Sequence, residues 1–270
     1  MSSTEIARPR IHSKVKAIII VLVVGALALL AVHAITGQSL GIKGFVSSQV
    51  TSATHLGRAV LDSQRVRGYS KGQFTNIIFL HHSVGQNLIE QGGVREKFAN
   101  AGYSFWDQGY NWQQLIDPDG KVTGYSYLVP DDNTDPDGLA QFFAQPSYPL
   151  PVNTFSGLLQ HEVIAFKSCF PVNNILSDQQ LAEYKKHYLG IRDVIAQHPD
   201  RIFIVVTPPP LNPAETNAEA ARRARAFADW LKSDEYLSGH PNLSTFDFFD
   251  YLAEGNSTAA DYNILRRAYR

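Results

Sequence analysis

The sequence predicts an α/β protein with a three-layer α/β/α, flavodoxin-like domain built on a parallel sheet of about five strands. Short apolar runs rich in Ile, Val and Phe alternate with longer amphipathic segments after residue 74. Runs of this length and composition are typical of strands covered on both faces. Strands that alternate with helices in this way pair in parallel through right-handed crossovers.

Five segments are predicted as strands, and the first four of them are nearly continuous apolar runs. They are 76–82, 162–168, 201–208, 243–249 and the more polar segment 103–108. Ser177 and Gln180 form a capping box that predicts a helix from there to about Gln197. Residues 214–232 and 94–101 have the spacing of two further helices.

The N-terminal segment has the features of a membrane anchor. Residues 17–35 are predominantly apolar and contain no Asp, Glu, Lys or Arg, and a bilayer core requires about 20 such residues. The basic residues within 1–16 predict a cytoplasmic tail and an extracytoplasmic main domain. The alternative is a signal peptide cleaved after Val32-His33-Ala34, which would give a secreted protein.

The remaining chain divides into a predicted stem, 36–73, and a domain, 74–270. The stem is rich in Gly, Ser, Thr and Gln, with a short helix expected near residues 54–64. The net charge of -1 argues against nucleic acid as a partner. Cys169 is the single cysteine, so an internal disulfide is excluded.

Polar clusters follow the predicted strands, where parallel sheets bind their ligands. They are His81-His82-Ser83, Gly109-Tyr110-Asn111, Lys167-Ser168-Cys169 with Asn173 and Asn174, and Thr207 before three prolines. Ser83 falls at a strand-to-helix turn, where backbone N–H groups and the helix N-terminus favour a developing negative charge. It is therefore a candidate nucleophile, and the alternative is that it only caps the helix.

The segment FLHHSVGQN, with FKSCFP and PPPL after later strands, resembles a divergent branch of the SGNH/GDSL hydrolases. The resemblance covers residues 74–270 and implies ester hydrolysis through Ser83. It implies that Gly109 and either Asn173 or Asn174 stabilise the oxyanion. His81 and His82 stand where that family has Gly and Asp. Lys167 and Ser168 lie in the FKSCFP segment, where Lys167 would bind an anionic substrate or pair with a carboxylate.

A serine nucleophile needs a base, and the resemblance implies an Asp-x-x-His block after the last strand. The sequence contains no such block. Three explanations stay open: the block lies beyond a truncated chain, His81 or His82 is the base, or the domain binds without catalysis. The spacing of His, Cys and Asp predicts no metal, and no cofactor is expected.

Location and family analogy suggest an acylated cell-surface carbohydrate or another small ester as substrate. The alternative from a different class is a membrane-anchored module that binds glycans without cleaving them. Aromatic side chains in a long loop would contact the sugar in that case. The candidates are Trp106, Tyr110, Trp112, Tyr125 and Tyr127.

Overall fold

The computed structural model describes residues 42–109, 113–129 and 135–270, with side chains from residue 54 onward. The predicted anchor at 17–35 and the loop residues Tyr110, Asn111 and Trp112 lie outside these ranges. Within the described ranges, no helix has both the length and the apolarity needed to cross a bilayer. The anchor therefore stays a prediction from the sequence.

Strands and helices alternate along most of the domain. The strands are β1 (Asn76–Leu80), β2 (Ser104–Gln108), β3 (Leu115–Ile116), β4 (Val163–Phe166), β5 (Ile202–Val206) and β6 (Leu243–Phe246). The helices before β4 are α1 (Ile42–Arg67), α2 (Ser83–Gly92), α3 (Val94–Asn100), α4 (Pro136–Phe143) and α5 (Thr154–Leu158). Those after β4 are α6 (Asp178–Ile195), α7 (Ala218–Leu231), α8 (Asp234–Leu237) and α9 (Phe248–Leu252). Short 3₁₀ turns occupy Phe170–Asn173 and Arg267–Tyr269.

The six strands form one mostly parallel sheet in the order β3-β2-β1-β4-β5-β6. The five predicted strands are all present and parallel to their neighbours, which confirms the predicted fold class. The sixth, β3, pairs antiparallel with β2 and was missed because it has only two residues. The parallel strands have the flavodoxin order, so the chain reverses direction across the sheet beside β1.

Alternating side chains along the strands build two cores, one on each face of the sheet. Ile78 and Leu80 face the larger core, with Ile164 from β4. Ile77 and Phe79 face the smaller one, which includes residues of α2, α3 and α9. Because both faces are covered, the strands need apolar residues at nearly every position, which is why they were recognisable in the sequence.

Side-chain caps, of which only Ser177 was predicted, explain where two of the long helices begin. Ser177 accepts a hydrogen bond from the Gln180 N–H at 3.1 Å, as the capping box predicts. Asn217 accepts one from the Ala220 N–H at 2.9 Å. Helix α7 therefore begins at Ala218 rather than at the predicted residue 214.

Helix α1 is longer than the short helix expected near 54–64. Its residues Ala59 and Val66 are buried in the larger core. Ser63 donates a hydrogen bond of 2.7 Å to Gln160 Oε1, and Asn76 Nδ2 donates one of 3.0 Å to the Val66 carbonyl. The compact unit that contains the sheet begins at Ala59, within the segment predicted as a stem.

Candidate active site

The carboxyl ends of the five parallel strands place one residue each in a row along one edge of the sheet, and three of the five belong to the polar clusters predicted from the sequence. Val206 and Phe246 at the end of this row are partners in the sheet. Each of the other neighbouring pairs comes one residue after the last paired residues of its two strands. By strand alternation, all of them share the face covered by α2 and α9. The row is Gly109, His81, Lys167, Val206 and Phe246.

Ser83 is the first residue of α2, and its side chain is exposed. The residue at the N-cap is His82, whose side chain makes no capping hydrogen bond. The structure therefore does not support the alternative in which Ser83 only caps the helix. No described residue hydrogen bonds to the Ser83 hydroxyl. A hydroxyl exposed at the positive end of a helix is available for nucleophilic attack.

His81 is buried, and both of its ring nitrogens face oxygen acceptors. Nε2 lies 3.0 Å from Asp107 Oδ2, and Nδ1 lies 3.0 Å from the His82 carbonyl oxygen. Asp107 is also ion-paired with Arg95. Both ring nitrogens of His81 are thus occupied by neighbours other than Ser83, and no hydrogen bond joins His81 to the Ser83 hydroxyl in this arrangement.

Two glycines allow the backbone to approach His81 closely. A Cβ atom at Gly85 would overlap the His81 side chain, so α2 can lie against the histidine only with glycine there. A Cβ atom at Gly109 would overlap Gln113 Oε1 and would lie 3.5 Å from His81 Cε1. Within the part of the chain that the structure describes, no residue accepts a hydrogen bond from the Gly109 N–H, which makes it a candidate oxyanion donor.

His82 is buried next to the nucleophile candidate in the chain. Its carbonyl oxygen accepts hydrogen bonds from His81 and, at 3.0 Å, from the Gln86 N–H. These bonds fix the backbone at the point where the strand ends and the helix begins. They thereby position the next residue, Ser83.

Lys167 and Ser168 are both buried at the end of β4. Lys167 Nζ donates to the Ser168 carbonyl at 3.2 Å, and no described carboxylate lies within ion-pair distance of it. Burial lowers the pKa of Lys167 to about 8, and the neighbouring Cys169 opposes that shift. The Ser168 hydroxyl pairs with the Tyr188 hydroxyl at 2.8 Å, so it faces α6 rather than a ligand.

The two candidate oxyanion asparagines have different surroundings. Asn173 is buried, and its Nδ2 donates to the carbonyls of Pro208 and Pro209 at 3.2 and 2.9 Å. Both of its amide hydrogens are therefore engaged with the loop after β5. Asn174 is partly exposed, and its Nδ2 donates to no described residue. Of the two, Asn174 has the donor that is available to a substrate.

Three of the five aromatic residues proposed to contact a glycan belong to the protein interior. Trp106, Tyr125 and Tyr127 are buried in the larger core. Tyr127 also pairs with His161 Nε2 at 2.9 Å. Tyr110 and Trp112 lie outside the described residues. The three described rings therefore offer no exposed face for a sugar.

Two residues of this edge, Asp107 and Arg95, were not predicted from the sequence. Asp107 could have been recognised, because a carboxylate within a strand predicted to be buried usually has a charged partner. Arg95 gave no signal, since a single arginine on a short helix is common. Among the described residues, no group of three or more His, Cys, Asp or Glu side chains converges as a metal site would require.

No protein-family model and no curated protein matches this sequence. Among solved structures, this chain is similar to a protein from Bacteroides fragilis that has been inferred to be an acylhydrolase. The two sequences are 12% identical, and the TM-score is 0.43. The alignment covers 77% of this chain and 82% of that chain. A second, from Streptococcus pneumoniae and inferred to be a platelet activating factor, is 14% identical with a TM-score of 0.39. It covers 83% of this chain and 92% of that one. Similarity at this level does not extend to function.

Proposed function

We propose that this protein is an SGNH-like serine hydrolase that cleaves esters by acyl transfer to Ser83. The position of Ser83 supports the proposal most. It is exposed at the first residue of α2, directly after β1. In open α/β sheets of this strand order, ligands bind outside the strand ends where the chain order reverses, which here is the crevice between β1 and β4.

In the proposed reaction, Ser83 Oγ attacks the acyl carbon and the carbonyl oxygen becomes an oxyanion. The N–H groups of Ser83 and Gly109 and the Asn174 amide are the donors that would stabilise this charge. Collapse of the intermediate expels the alcohol with a proton and leaves an acyl group on Ser83. Water then attacks this ester, releasing the carboxylic acid and restoring the hydroxyl.

The base in this proposal is His82. His81 is less suitable because both of its ring nitrogens lie against other groups, the Asp107 carboxylate and the His82 carbonyl. His82 adjoins Ser83 in the chain. A His82→Gln variant should lose ester turnover while keeping the free energy of unfolding of the unsubstituted protein. Retained turnover in this variant would place the base elsewhere.

We further propose an extracytoplasmic, membrane-anchored location and a carbohydrate ester as substrate. The location rests on residues 17–35, which are predominantly apolar and contain no Asp, Glu, Lys or Arg, and on the basic residues that precede them. A signal peptide cleaved near Ala34 would leave the domain outside the cell as well.

The test of the hydrolase proposal uses the full chain, purified in mild detergent. The protein is incubated with 4-nitrophenyl acetate and, separately, with a fluorophosphonate, and the modified residue is located by mass spectrometry. We expect turnover and an adduct on Ser83, both absent from Ser83→Ala. Ser257→Ala, which removes an exposed turn hydroxyl, is the matched control and should behave as the unsubstituted protein. A folded protein with neither turnover nor adduct would rule out the hydrolase.

A further inference from the structure

A second feature of the same sheet edge lies at the end of β6. It is a cavity of about 480 Å³. Its lining combines three aromatic rings with charged side chains: Phe246, Tyr251, Tyr269, Asp247, Asp250 and Arg266. The hydrolytic chemistry proposed above does not use any of these residues.

The aromatic rings of the cavity are unusually accessible. Phe246, Tyr251 and Tyr269 are 46%, 69% and 51% exposed. Large aromatic side chains more often bury their area in a core, as the rings near β2 do in this protein. Exposed rings that line one concavity instead provide flat apolar surfaces for a ligand.

The charged groups around the cavity neutralise one another. Lys232 Nζ lies 2.6 Å from Asp247 Oδ2 and 2.8 Å from Asp250 Oδ2, and Arg225 is ion-paired with Asp250. Asp229 joins these ion pairs through Lys232, at 3.2 Å, whereas Arg266 donates to the backbone carbonyls of Ala253 and Asp250 rather than to a carboxylate. With Arg266 included, the cluster has three carboxylates, Asp229, Asp247 and Asp250, and three cations, Arg225, Lys232 and Arg266. A wall without net charge but with many polar atoms suits a neutral, hydroxyl-rich ligand rather than an ionic one.

The cavity is aligned with the candidate nucleophile. Phe246 pairs with Val206 in the sheet and ends the row that contains Lys167 and His81. Three strand spacings separate β1 from β6, which is about 14 Å. An oligosaccharide is long enough to span this distance, whereas a small acyl ester is not.

We propose that this cavity is a carbohydrate subsite that holds a neutral sugar of an acylated oligosaccharide while its ester lies at Ser83. The rings of Tyr251 and Tyr269 stack against the apolar faces of the sugar. Arg266 and the two aspartates contact its hydroxyl groups. The substrate role of the subsite rests on the proposed hydrolase function, but its capacity to bind sugar does not.

Binding is measured separately from catalysis. The full chain with Ser83→Ala is titrated calorimetrically with O-acetylated xylotriose and O-acetylated cellotriose, which it cannot consume. We expect at least one of them to bind, and a further Tyr251→Ala or Tyr269→Ala change to weaken binding at least tenfold. Tyr103→Ala is the matched control, because Tyr103 is an exposed tyrosine just before the amino end of β2, at the other end of the strands from the cavity. It should alter the dissociation constant less than twofold.

Each other outcome has a distinct meaning. Failure of both sugars to bind the folded protein, or binding that is insensitive to Tyr251 and Tyr269, overturns the subsite. If this happens while Ser83 forms its phosphonate adduct, the hydrolase stands without the subsite. Sugar binding without any adduct supports the cavity as a sugar site and overturns its substrate role. A dimer that Tyr251→Ala dissociates would make the cavity a contact between copies and overturn the proposal.

Discussion

His81 Nε2 lies 3.0 Å from Asp107 Oδ2, and both side chains are buried at the carboxyl edge of the sheet. Asp107 also pairs with Arg95, while the other ring nitrogen of His81 faces the His82 carbonyl. This set of contacts ties the end of β1 to β2 just before Ser83. We infer that His81 and Asp107 hold in place the turn that carries Ser83.

Asp107→Asn should lower the free energy of unfolding by about 3–5 kcal/mol, because it breaks a buried ion pair and leaves its partners uncompensated. Urea denaturation measures the change. Asp119→Asn is the matched control, since the Asp119–Lys121 pair is exposed with an N–O distance of 3.4 Å. Removing an exposed pair should cost about 0–1 kcal/mol. Equal effects of the two substitutions would contradict a structural role for Asp107.

Two glycine substitutions in helices should have opposite effects on stability. Gly85→Ala places a Cβ atom against His81, and such overpacking costs about 1–3 kcal/mol. Gly190→Ala, within α6, meets nothing within 4 Å and should gain up to about 1 kcal/mol from helix propensity. Thermal denaturation compares them. A stabilised Gly85→Ala protein would mean that α2 does not lie as close to His81 as described.

The two asparagines after β4 should separate stability from catalysis. Asn173→Ala removes two buried hydrogen bonds to the loop after β5, and should cost about 1–3 kcal/mol. Asn174→Ala should leave stability nearly unchanged and, if Asn174 stabilises the oxyanion, lower kcat about 10²–10³-fold. Denaturation and steady-state ester hydrolysis measure both properties. A fall in kcat with Asn173→Ala alone would reverse the assignment.

Asp62 should make the protein less stable as the pH rises. The carboxyl group is only 5% exposed and neither oxygen has a hydrogen-bond partner among the described residues. Burial raises its pKa from 3.8 to about 7, against the opposing charge of Arg65. Between about pH 4 and 7, the Asp62 carboxyl group therefore stays protonated in the folded state but is ionised in the unfolded chain. Stability falls across this range, by about 4 kcal/mol in total.

The measurement compares the unfolding free energies of the unsubstituted protein and Asp62→Asn at several pH values. We expect the variant to gain relative stability from pH 4 to 7 and the difference to level off above that. Burial lowers the pKa of His161 to about 3, which adds a slope of opposite sign in this range. Since both proteins contain His161, the difference between them isolates Asp62. A difference that does not vary with pH would contradict the prediction.

Much of the fold could be predicted from the sequence because the signals are local. The continuous apolar run of β1 and the capping residues Ser177 and Gln180 act within a few positions of the chain. The same holds for the exposed turn at Ser83, which follows from a strand that stops and a helix that starts. Strand β3, with two residues, is too short to have a pattern of its own.

By itself, the sequence determined an α/β sheet, its parallel strands and the edge where polar residues gather. Only the tertiary structure decided what those residues do there. His81 lies 26 positions from its partner Asp107, and Asn173 lies 36 from Pro209, so no local pattern could pair them. The cavity beside Phe246 likewise arises because β6, α9 and the C-terminal turn meet in space. Contacts between distant segments depend on packing, which individual segments do not encode.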